Sequence, residues 1–441
     1  MAYITGEARE QVTMFPQTLD EFILGDHLCR VIEAFVNQLA MQELGFVRSE
    51  PAETGRPGYD PRDLLKLYLY GYMNQLRSSR RLEAECQRNL EVMWLLGRLQ
   101  PDYKSIAEFR RMHGEAVKQA GAELVRLACE VGLVRGEWVA IDGSKFRAVS
   151  SAQRVRERDA VERYLAEMEA ADAQDEVVID HSAMAAALEK LRQDPEPEAG
   201  FMRTTDGKRP AYNVQTAVDA ENGIIVAQEV TTQSYDQHSL LPMAKAAQQA
   251  VGSPEFHVVA DKGYSNGEQA AACEERGIAP HVPAQRSGNR QGDGGLFDPT
   301  EFRYDEASDT MVCPAGEWLQ RLGVHKPRRH VVYAGEAAVC GKCPLRAGCT
   351  TAARRTVKRH LYEGALRRMQ QRATAEAMRL RCCVVERVFA ALKYSIFGHP
   401  RFLLRGRGGA QTEISLATLA YNLKRMLAVL GGKGLRAAVA G

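Results

Sequence analysis

Three carboxylates stand out in this sequence as residues suited to chemistry. Asp142 ends the strand-like run WVAI, Asp261 ends the strand-like run FHVVA, and Glu386 lies in the apolar helical stretch VVERVFAALK. They are 119 and 125 residues apart, so only the fold can bring them together. Carboxylate oxygens suit hard cations such as Mg²⁺ or Mn²⁺, and two such ions promote in-line phosphoryl displacement. We therefore expect Asp142, Asp261 and Glu386 to form a two-ion site.

Glu386 is the least ordinary of the three. Its neighbours in the sequence are apolar, and a carboxylate among core residues is costly unless it is paired or bound to metal. Lys393 follows Glu386 by seven residues and Arg379 precedes it by seven, so these side chains share one helix face. A phosphate that reached the metal ions would lie along this basic face. The basic residues expected to contact DNA are Arg379, Arg387, Lys393, Arg401 and Arg405.

Four cysteines form a second set of candidate ligands. Cys340 and Cys343 make a C-x2-C pair, Cys349 follows, and Cys313 lies upstream. Four thiolates from two short turns match the tetrahedral coordination of a structural Zn²⁺; a set of small buried thiols is the alternative. The other six cysteines are predicted to pack in cores or along helices: Cys29, Cys86, Cys129, Cys273, Cys382 and Cys383.

Composition excludes several classes of protein. The 441 residues leave room for two to four domains, and 45% hydrophobic with 26% charged residues is typical of soluble globular proteins. No apolar run is long enough for a membrane span, and the start lacks the pattern of a secretory signal, so a cytoplasmic location is expected. Net charge is only +2, but residues 351–441 carry 18 Lys and Arg against 4 Asp and Glu. Such a basic region predicts a polyanionic partner; a solvated basic helix or an anionic membrane contact is the alternative.

The order of predicted elements brings two of the carboxylates together. Apolar spacing predicts helices over 16–50 and 60–132. A strand ending at Asp142, a hairpin over 211–232, a helix and a strand ending at Asp261 follow. This is the order of a ribonuclease-H-like core, a mixed sheet flanked by helices in which the first and fourth strands are neighbours. The fold class expected is therefore α/β, with an all-helical N-terminal domain and a cysteine-rich insertion. Near the C-terminal end, a helix is expected over 363–397, FGHPRFLLRGRGGAQ (397–411) reads as a basic loop, and a final amphipathic helix follows.

The same pattern sets the expected domain boundaries. The acidic segment 151–199, with 13 acids against 6 bases, reads as a helical insert within the core. Residues 280–350 read as an irregular insertion that the proposed zinc would hold in place. The expected units are a helical DNA-end-binding or dimerisation domain (1–135), the first part of the catalytic core (136–279, with the insert at 150–200), the cysteine-rich insertion (280–360) and a basic helical part of the core (361–441).

The chain resembles the DDE-type transposases of bacterial insertion sequences, which have a ribonuclease-H-like catalytic core. The resemblance covers most of the sequence and rests on the order and spacing of VAIDGSKFRA, AYNVQTAVD, VVADKGYSN, CGKCPLRAGCT and VVERVFAALK. It implies that Asp142, Asp261 and Glu386 are the metal-binding catalytic triad and that Lys393 touches the transposon end. Related transposases often carry Tyr and Arg seven and four residues before the glutamate. Because Arg379 and Cys382 occupy those positions here, a tyrosine-arginine contact is not expected.

The resemblance implies a chemistry and a set of partners. The protein would cut the ends of its own insertion sequence to release a 3′-hydroxyl and join that hydroxyl to target DNA with two Mg²⁺ or Mn²⁺ ions. A homodimer on DNA is expected because two ends must be held together. The alternatives are a metal-dependent nuclease without strand transfer and a non-catalytic DNA-binding protein derived from a transposase.

Further residues near the aspartates are weaker candidates for a role at the site. Asp236 and His238 can be placed near the metal ions or orient a water, although loop capping is the favoured interpretation. Trp318 can stack on a flipped base, but packing beside the cysteines is favoured. The residues that flank the two aspartates and are candidates for phosphate contacts are Lys145, Lys262 and Tyr264.

Overall fold

The computed structural model describes most of the chain, in seven stretches. These are residues 18–50, 58–172, 189, 196–284, 296–298, 301–325 and 329–440. No helix in these stretches is both long and apolar enough to cross a membrane.

The N-terminal region is helical, as predicted. Its helices are α1 (Leu28–Gln38), α2 (Pro61–Met73), α3 (Ser79–Arg88), α4 (Leu90–Leu95), α5 (Tyr103–Met112) and α6 (Gly114–Glu130). The Asp60 side chain caps α2 by accepting a hydrogen bond from the Arg62 backbone N–H, which satisfies a donor that would otherwise lack a partner. Residues 39–50 form turns rather than the continuous helix expected.

The main sheet follows directly. Its strands are β1 (Trp138–Arg147), β2 (Gly200–Thr204), β3 (Gly207–Asp219), β4 (Ile225–Thr231), β5 (Phe256–Val259) and β6 (Ile278–His281). β1 lies between β3, which is antiparallel to it, and β5, which is parallel to it; β4 pairs with β3 and β6 with β5. Helix α8 (Leu240–Val251) connects β4 to β5, and α9 (Gly267–Glu274) connects β5 to β6. The α/β fold class and the ribonuclease-H-like order are confirmed.

The acidic insert contains a helix, α7 (Ala152–Asp172), between β1 and β2. The rest of the segment predicted to be helical, over residues 173–188 and 190–195, lies outside the described residues. Glu196, at the end of the insert, is fully buried and accepts hydrogen bonds from the backbone N–H groups of Ser150 and Gly406. The insert is therefore anchored at its C-terminal end to the residues that follow β1 and to the last helix.

The C-terminal helices differ in detail from the prediction. The helix expected over 363–397 is divided into α11 (Glu363–Arg372) and α12 (Ala375–Ala390), because Thr374 caps α12 through the Ala377 backbone N–H. A π-helical turn, Ala391–Ile396, continues α12. The last helix, α13 (Gly406–Ala440), includes the GRGGAQ segment predicted as a loop and is kinked at Gly431, whose φ is 70°.

Helix α13 joins the N-terminal helices to the sheet. It packs against α1, α2, α6 and β4. Asn422 bonds to both the backbone N–H and C=O of Ile225 at the free edge of β4, and Glu413 pairs with Arg77 at 3.0 Å. One hydrophobic core therefore runs from the helical region through the sheet to α13.

The cysteine-rich region is not irregular, contrary to the prediction. It forms an antiparallel sheet of five strands, β7 (Arg303–Asp305), β8 (Thr310–Val312), β9 (Trp318–His325), β10 (His330–Ala334) and β11 (Thr356–His360), with a short helix α10 (Ala337–Lys342). Its own core is small and consists of Phe302, Met311, Leu319, Val331, Tyr333 and Val357. Two of its strands, β7 and β8, are only three residues long, which is too short for alternation to be recognised in the sequence. Residues 285–295, QRSGNRQGDGG, lie outside the described residues.

Candidate active site

Asp142 and Asp261 lie side by side on neighbouring strands of the main sheet. The sequence predicted a strand ending at Asp142, but β1 stays paired with β3 as far as Arg147, so Asp142 lies within the strand, while Asp261 follows β5 by two residues. The register pairs Ala140 with Val259 across parallel strands β1 and β5, and the aspartates lie two residues further along each chain. Burial raises the pKa of Asp142, and the negative charge of Asp261 adds to this rise. Arg381 and the Gly143 backbone N–H act in the opposite direction. Two carboxylates that repel each other in this way favour a bound cation.

Arg381 is the residue of α12 that contacts the aspartate pair. Its Nη2 lies 3.0 Å from Asp142 Oδ2, and its side chain is only 16% exposed. Its Nε atom is buried without a hydrogen-bond partner among the described residues. The sequence analysis did not single out Arg381. Its position four residues before Val385, on the apolar face of the helix, is the signal that was available.

Glu386 does not contact the aspartates. It is exposed, and it makes no hydrogen bond or ion pair within the part of the chain that the structure describes. The expectation that core residues surround it is wrong, because each helix residue is rotated by about 100° from the last. The buried face of α12 consists of Ala377, Val384, Val385, Val388 and Phe389.

Lys393 lies on the π-helical turn and is half-buried. Burial lowers its pKa, and Asp142 is the acidic residue that partly opposes this shift. Its Nζ atom is 5.9 Å from the centre of the Phe146 ring, at a distance where a cation interacts with an aromatic face. The structure therefore places Lys393 near the same aspartate as Arg381.

The other predicted DNA contacts are exposed arginines. Arg379 lies on the outer side of α12. Arg387 donates from Nε to the Cys383 carbonyl oxygen at 2.7 Å, while Arg401 approaches the Val149 carbonyl oxygen. Arg405 lines a groove of about 1050 Å³ between α6, β4 and α13. These four arginines do not converge on the aspartate pair.

A polar network lies on the other side of β1. Asp236, in the loop before α8, accepts hydrogen bonds on Oδ1 from Asn213 Nδ2 at 2.7 Å and Gln215 Nε2 at 2.6 Å. Lys145 Nζ lies 3.5 Å from the same oxygen. The Tyr264 hydroxyl donates to Gln215 Oε1. Asp236 is therefore more than a loop cap, and the roles of Asn213 and Gln215 had no recognisable signal in the sequence.

Two glycines make this network possible. A Cβ atom added at Gly143 would lie 2.3 Å from Gln215 Nε2 and 2.8 Å from Asp236 Oδ1. A Cβ added at Gly263 would lie 2.9 Å from Asp261 Oδ1. The glycines that follow each aspartate in DGS and DKG thus allow the close approach of neighbouring polar groups. His238 and Lys262 are exposed.

The four candidate zinc ligands lie around one cavity of about 390 Å³ in the small sheet region. Cys313 follows β8, Cys340 lies in α10, Cys343 ends it and Cys349 comes six residues later. Burial raises the pKa of the Cys349 thiol, and the other three cysteines raise it further. Trp318, which is 50% exposed, lines the same cavity.

A closer group of ligand atoms lies elsewhere. Among the described residues, His27, Cys29 and Glu91 have ligand atoms within 4.8 Å of one another, a distance that neither the three carboxylates nor the four cysteines meet. His27 Nδ1 accepts from the Cys29 backbone N–H to cap α1, and its Nε2 lies 3.5 Å from Glu91. Burial raises the pKa of the Cys29 thiol to about 12. Helix capping and an ion pair account for this group without a metal.

Comparison with known proteins gives two family matches. The model of the Transposase DDE domain matches residues 171–423, and that of the Transposase domain (DUF772) matches residues 17–112. The first match spans more than half of the chain and includes Asp261 and Glu386, whereas Asp142 precedes it. No protein with a curated description matches. The cryo-EM structure of a piggyBac transposase synaptic complex with hairpin DNA is similar over 93% of this chain and 78% of that chain, at 8% identity and a TM-score of 0.33. A likeness this weak carries no argument.

Proposed function

Because this chain belongs to the Transposase DDE domain family, we propose that it is the DNA transposase of an insertion sequence. It binds the ends of its own element, hydrolyses a phosphodiester bond there and joins the freed 3′-hydroxyl to target DNA. The observation that carries this proposal is the pair of aspartates on neighbouring parallel strands, with Asp142 within β1 and Asp261 two residues after β5, in register with each other.

The donor set at this pair fits hard divalent cations. Asp142 and Asp261 supply carboxylate oxygens, the ligands that Mg²⁺ and Mn²⁺ prefer. Two such ions, when bound, would activate the attacking oxygen and stabilise the leaving oxygen. The protein contributes the position of the DNA strand and the neutralisation of charge, with no side chain acting as a covalent nucleophile. Asp142 and Asp261 would hold the ions, with Glu386 as the third carboxylate.

The position of Glu386 along α12 supports its role as a ligand of the proposed metal site. Arg381, five residues before it, and Lys393, seven after it, both interact with Asp142. Asp142 therefore faces the helical segment 381–393, which contains Glu386. Five residues turn a helix by about 500°, so Glu386 lies about 140° around α12 from Arg381. In this proposal α12 rotates on the sheet by an angle of that order to bring Glu386 to the pair.

Basic side chains around the site supply the DNA contacts in this proposal. Lys393, which interacts with Asp142, would meet the phosphate next to the scissile bond, and the exposed Arg379 and Arg387 would extend the basic surface along α12. Residues 1–135 would recognise the DNA end and, with a second copy of the chain, hold two ends in a dimer. Phosphate contacts of this kind weaken steeply as salt rises.

We also propose a structural Zn²⁺ held by the four cysteines. The small sheet has a core of only six buried side chains, and small cores commonly need a metal or disulfide to be stable. The other three cysteines raise the pKa of Cys349, and a shared cation would stabilise the neighbouring sulfur atoms as thiolates. Binding would draw the four sulfur atoms closer together. Metal analysis of the purified protein should find about one zinc per chain; finding none, with all four thiols freely alkylated, would contradict this.

The function is tested with purified protein, Mg²⁺, a labelled duplex carrying the end of the element that encodes it, and a target plasmid. The expected result is cleavage at the end and a joined product, with both lost in Glu386→Gln. Cleavage without a joined product in any condition would favour a nuclease. Binding without cleavage would favour a non-catalytic DNA-binding protein, and unchanged activity of Glu386→Gln would remove that residue from the site.

A further inference from the structure

A third acidic side chain lies next to the aspartate pair, on the face of the sheet opposite Arg381. Asp236 Oδ1 is occupied by two amide donors, Asn213 and Gln215. Its other oxygen lies near Gly263, as Asp261 does, because a Cβ added at Gly263 would lie 2.9 Å from Asp261 Oδ1 and 3.8 Å from Asp236 Oδ2. The two carboxylates therefore flank the same glycine. Asp236 is therefore positioned to influence the aspartate pair without being one of its two members.

Asp236 also forms an ion pair with a lysine side chain. Lys145 Nζ lies 3.5 Å from Asp236 Oδ1, and the lysine side chain is only 17% exposed. The other acidic groups that interact with Lys145 are Asp142 and Asp261. Lysine is a compact charge on a flexible stem. Without Asp236, the remaining acidic partners of this ammonium group are the two aspartates themselves.

The balance of charge leads to the same conclusion. The positive side chains that interact with the pair are Lys145, Arg381 and Lys393. Together with Asp142, Asp236 and Asp261, they form a set of three acids and three bases. Removal of Asp236 leaves this set with a net positive charge, which opposes the approach of a divalent cation.

We propose that Asp236 is a positioning residue that holds Lys145 away from Asp142 and Asp261 and thereby sets the affinity of the aspartate pair for a divalent cation. The inference rests on the proposed function, since it takes the pair as the metal site. It assigns Asp236 an electrostatic role through Lys145 rather than direct ligation of the ion.

The test measures Mn²⁺ binding to the full-length protein without DNA, from the EPR signal of free Mn²⁺. Asp236→Asn should weaken binding at the pair about tenfold, as expected for the loss of one nearby charge. The double variant Asp236→Asn with Lys145→Met should return to within about threefold of the unchanged protein, because the competing ammonium group is gone. Thermal unfolding of each variant is recorded in parallel.

Two results would overturn the inference. One is unchanged Mn²⁺ affinity in Asp236→Asn. The other is a loss of affinity that Lys145→Met does not rescue, which would make Asp236 a ligand or a support of the loop. If Asp236→Asn does not fold, Lys145→Met alone decides: the inference requires tighter Mn²⁺ binding, and unchanged or weaker binding refutes it.

A separate control distinguishes this inference from the proposed function. The double variant Asp142→Asn with Asp261→Asn should abolish the Mn²⁺ site. If Mn²⁺ binds this variant as it binds the unchanged protein, the aspartate pair is not the metal site and the proposed function fails. If binding is lost there while Asp236→Asn has no effect, the proposed metal site stands and only the role of Asp236 fails.

Discussion

The aspartate pair and the cysteine cluster are assembled in opposite ways. Asp142 and Asp261 are 119 residues apart and meet because β1 and β5 are parallel neighbours in the main sheet. Three of the cysteines lie between Cys340 and Cys349, and Cys313 comes from the turn between β8 and β9 of the same small sheet. The first site depends on the large core that runs through the molecule, and the second on a local core of six side chains.

Because of this difference, we expect folding to depend on the metal at the cysteine cluster but not at the aspartate pair. A site formed by distant strands is as rigid as the sheet that holds them, so its metal can be used for chemistry without being needed for folding. A site formed by short turns on a small core can gain its rigidity from the metal itself. Variants of one site should therefore leave the other intact, and this independence can be measured.

The largest effect is expected at the aspartate pair. Asp261→Asn removes a charge that a bound divalent ion requires, and end cleavage should fall by about 10³-fold or more. Zinc content and the melting temperature should stay close to those of the unchanged protein, because asparagine keeps the side-chain oxygen that accepts the Gly263 backbone N–H. The measurement is single-turnover cleavage of a labelled end in Mg²⁺. Substantial residual cleavage would show that the reaction takes place elsewhere.

The next largest effect is expected on the stability of the core that supports the aspartate pair. Glu413 is fully buried, pairs with Arg77 at 3.0 Å and accepts hydrogen bonds from the Leu403 and Leu404 backbone N–H groups. Glu413→Gln leaves the Arg77 charge buried without its partner, which should lower the free energy of unfolding by about 3 kcal/mol. Urea titration followed by circular dichroism measures this. Glu376→Gln, at the exposed start of α12, is the matched control and should change stability by less than about 0.5 kcal/mol.

The sequence predicted the aspartate pair but not its surroundings. Asp142 and Asp261 were identifiable because each follows an apolar, strand-like run in the sequence, and the order of elements makes those strands neighbours. Arg381 was missed because its contact depends on how α12 is rotated on the sheet. The same rotation leaves Glu386 exposed although Val384, Val385 and Val388 beside it are buried.

The small sheet and the start of α13 were missed for other reasons. β7 and β8 are three residues each, which is too short to show a period of two. GRGGAQ contains three glycines, the residue type with the lowest helix propensity after proline. Packing of α13 against α6 and β4 overrides that local preference. Tertiary contacts of this kind leave no local mark in the sequence.

A smaller and local effect is expected at the cysteine cluster. Cys343→Ser removes one proposed zinc ligand, and the small sheet should become susceptible to proteolysis within residues 301–360, with zinc content falling from about one per chain toward zero. Mn²⁺ binding at the aspartate pair should not change. Cys383→Ser, on the exposed side of α12, is the control and should behave as the unchanged protein. Loss of Mn²⁺ binding in Cys343→Ser would mean that the two sites are not independent.

The smallest effect tests the electrostatic environment of the pair. Burial raises the pKa of Asp142 and the guanidinium of Arg381 opposes this rise, so Arg381→Gln should raise the Asp142 pKa further. Because the ionised carboxylate is the form that holds a cation, the acid limb of the end-cleavage rate against pH should move to higher pH. Arg387→Gln, which removes an exposed arginine bonded to the Cys383 carbonyl oxygen, should leave that limb unchanged. If the acid limb does not move in Arg381→Gln, or moves equally in both variants, the Arg381 contact does not control the ionisation of Asp142. The two residues would then be neighbours in the structure without an electrostatic effect on the reaction.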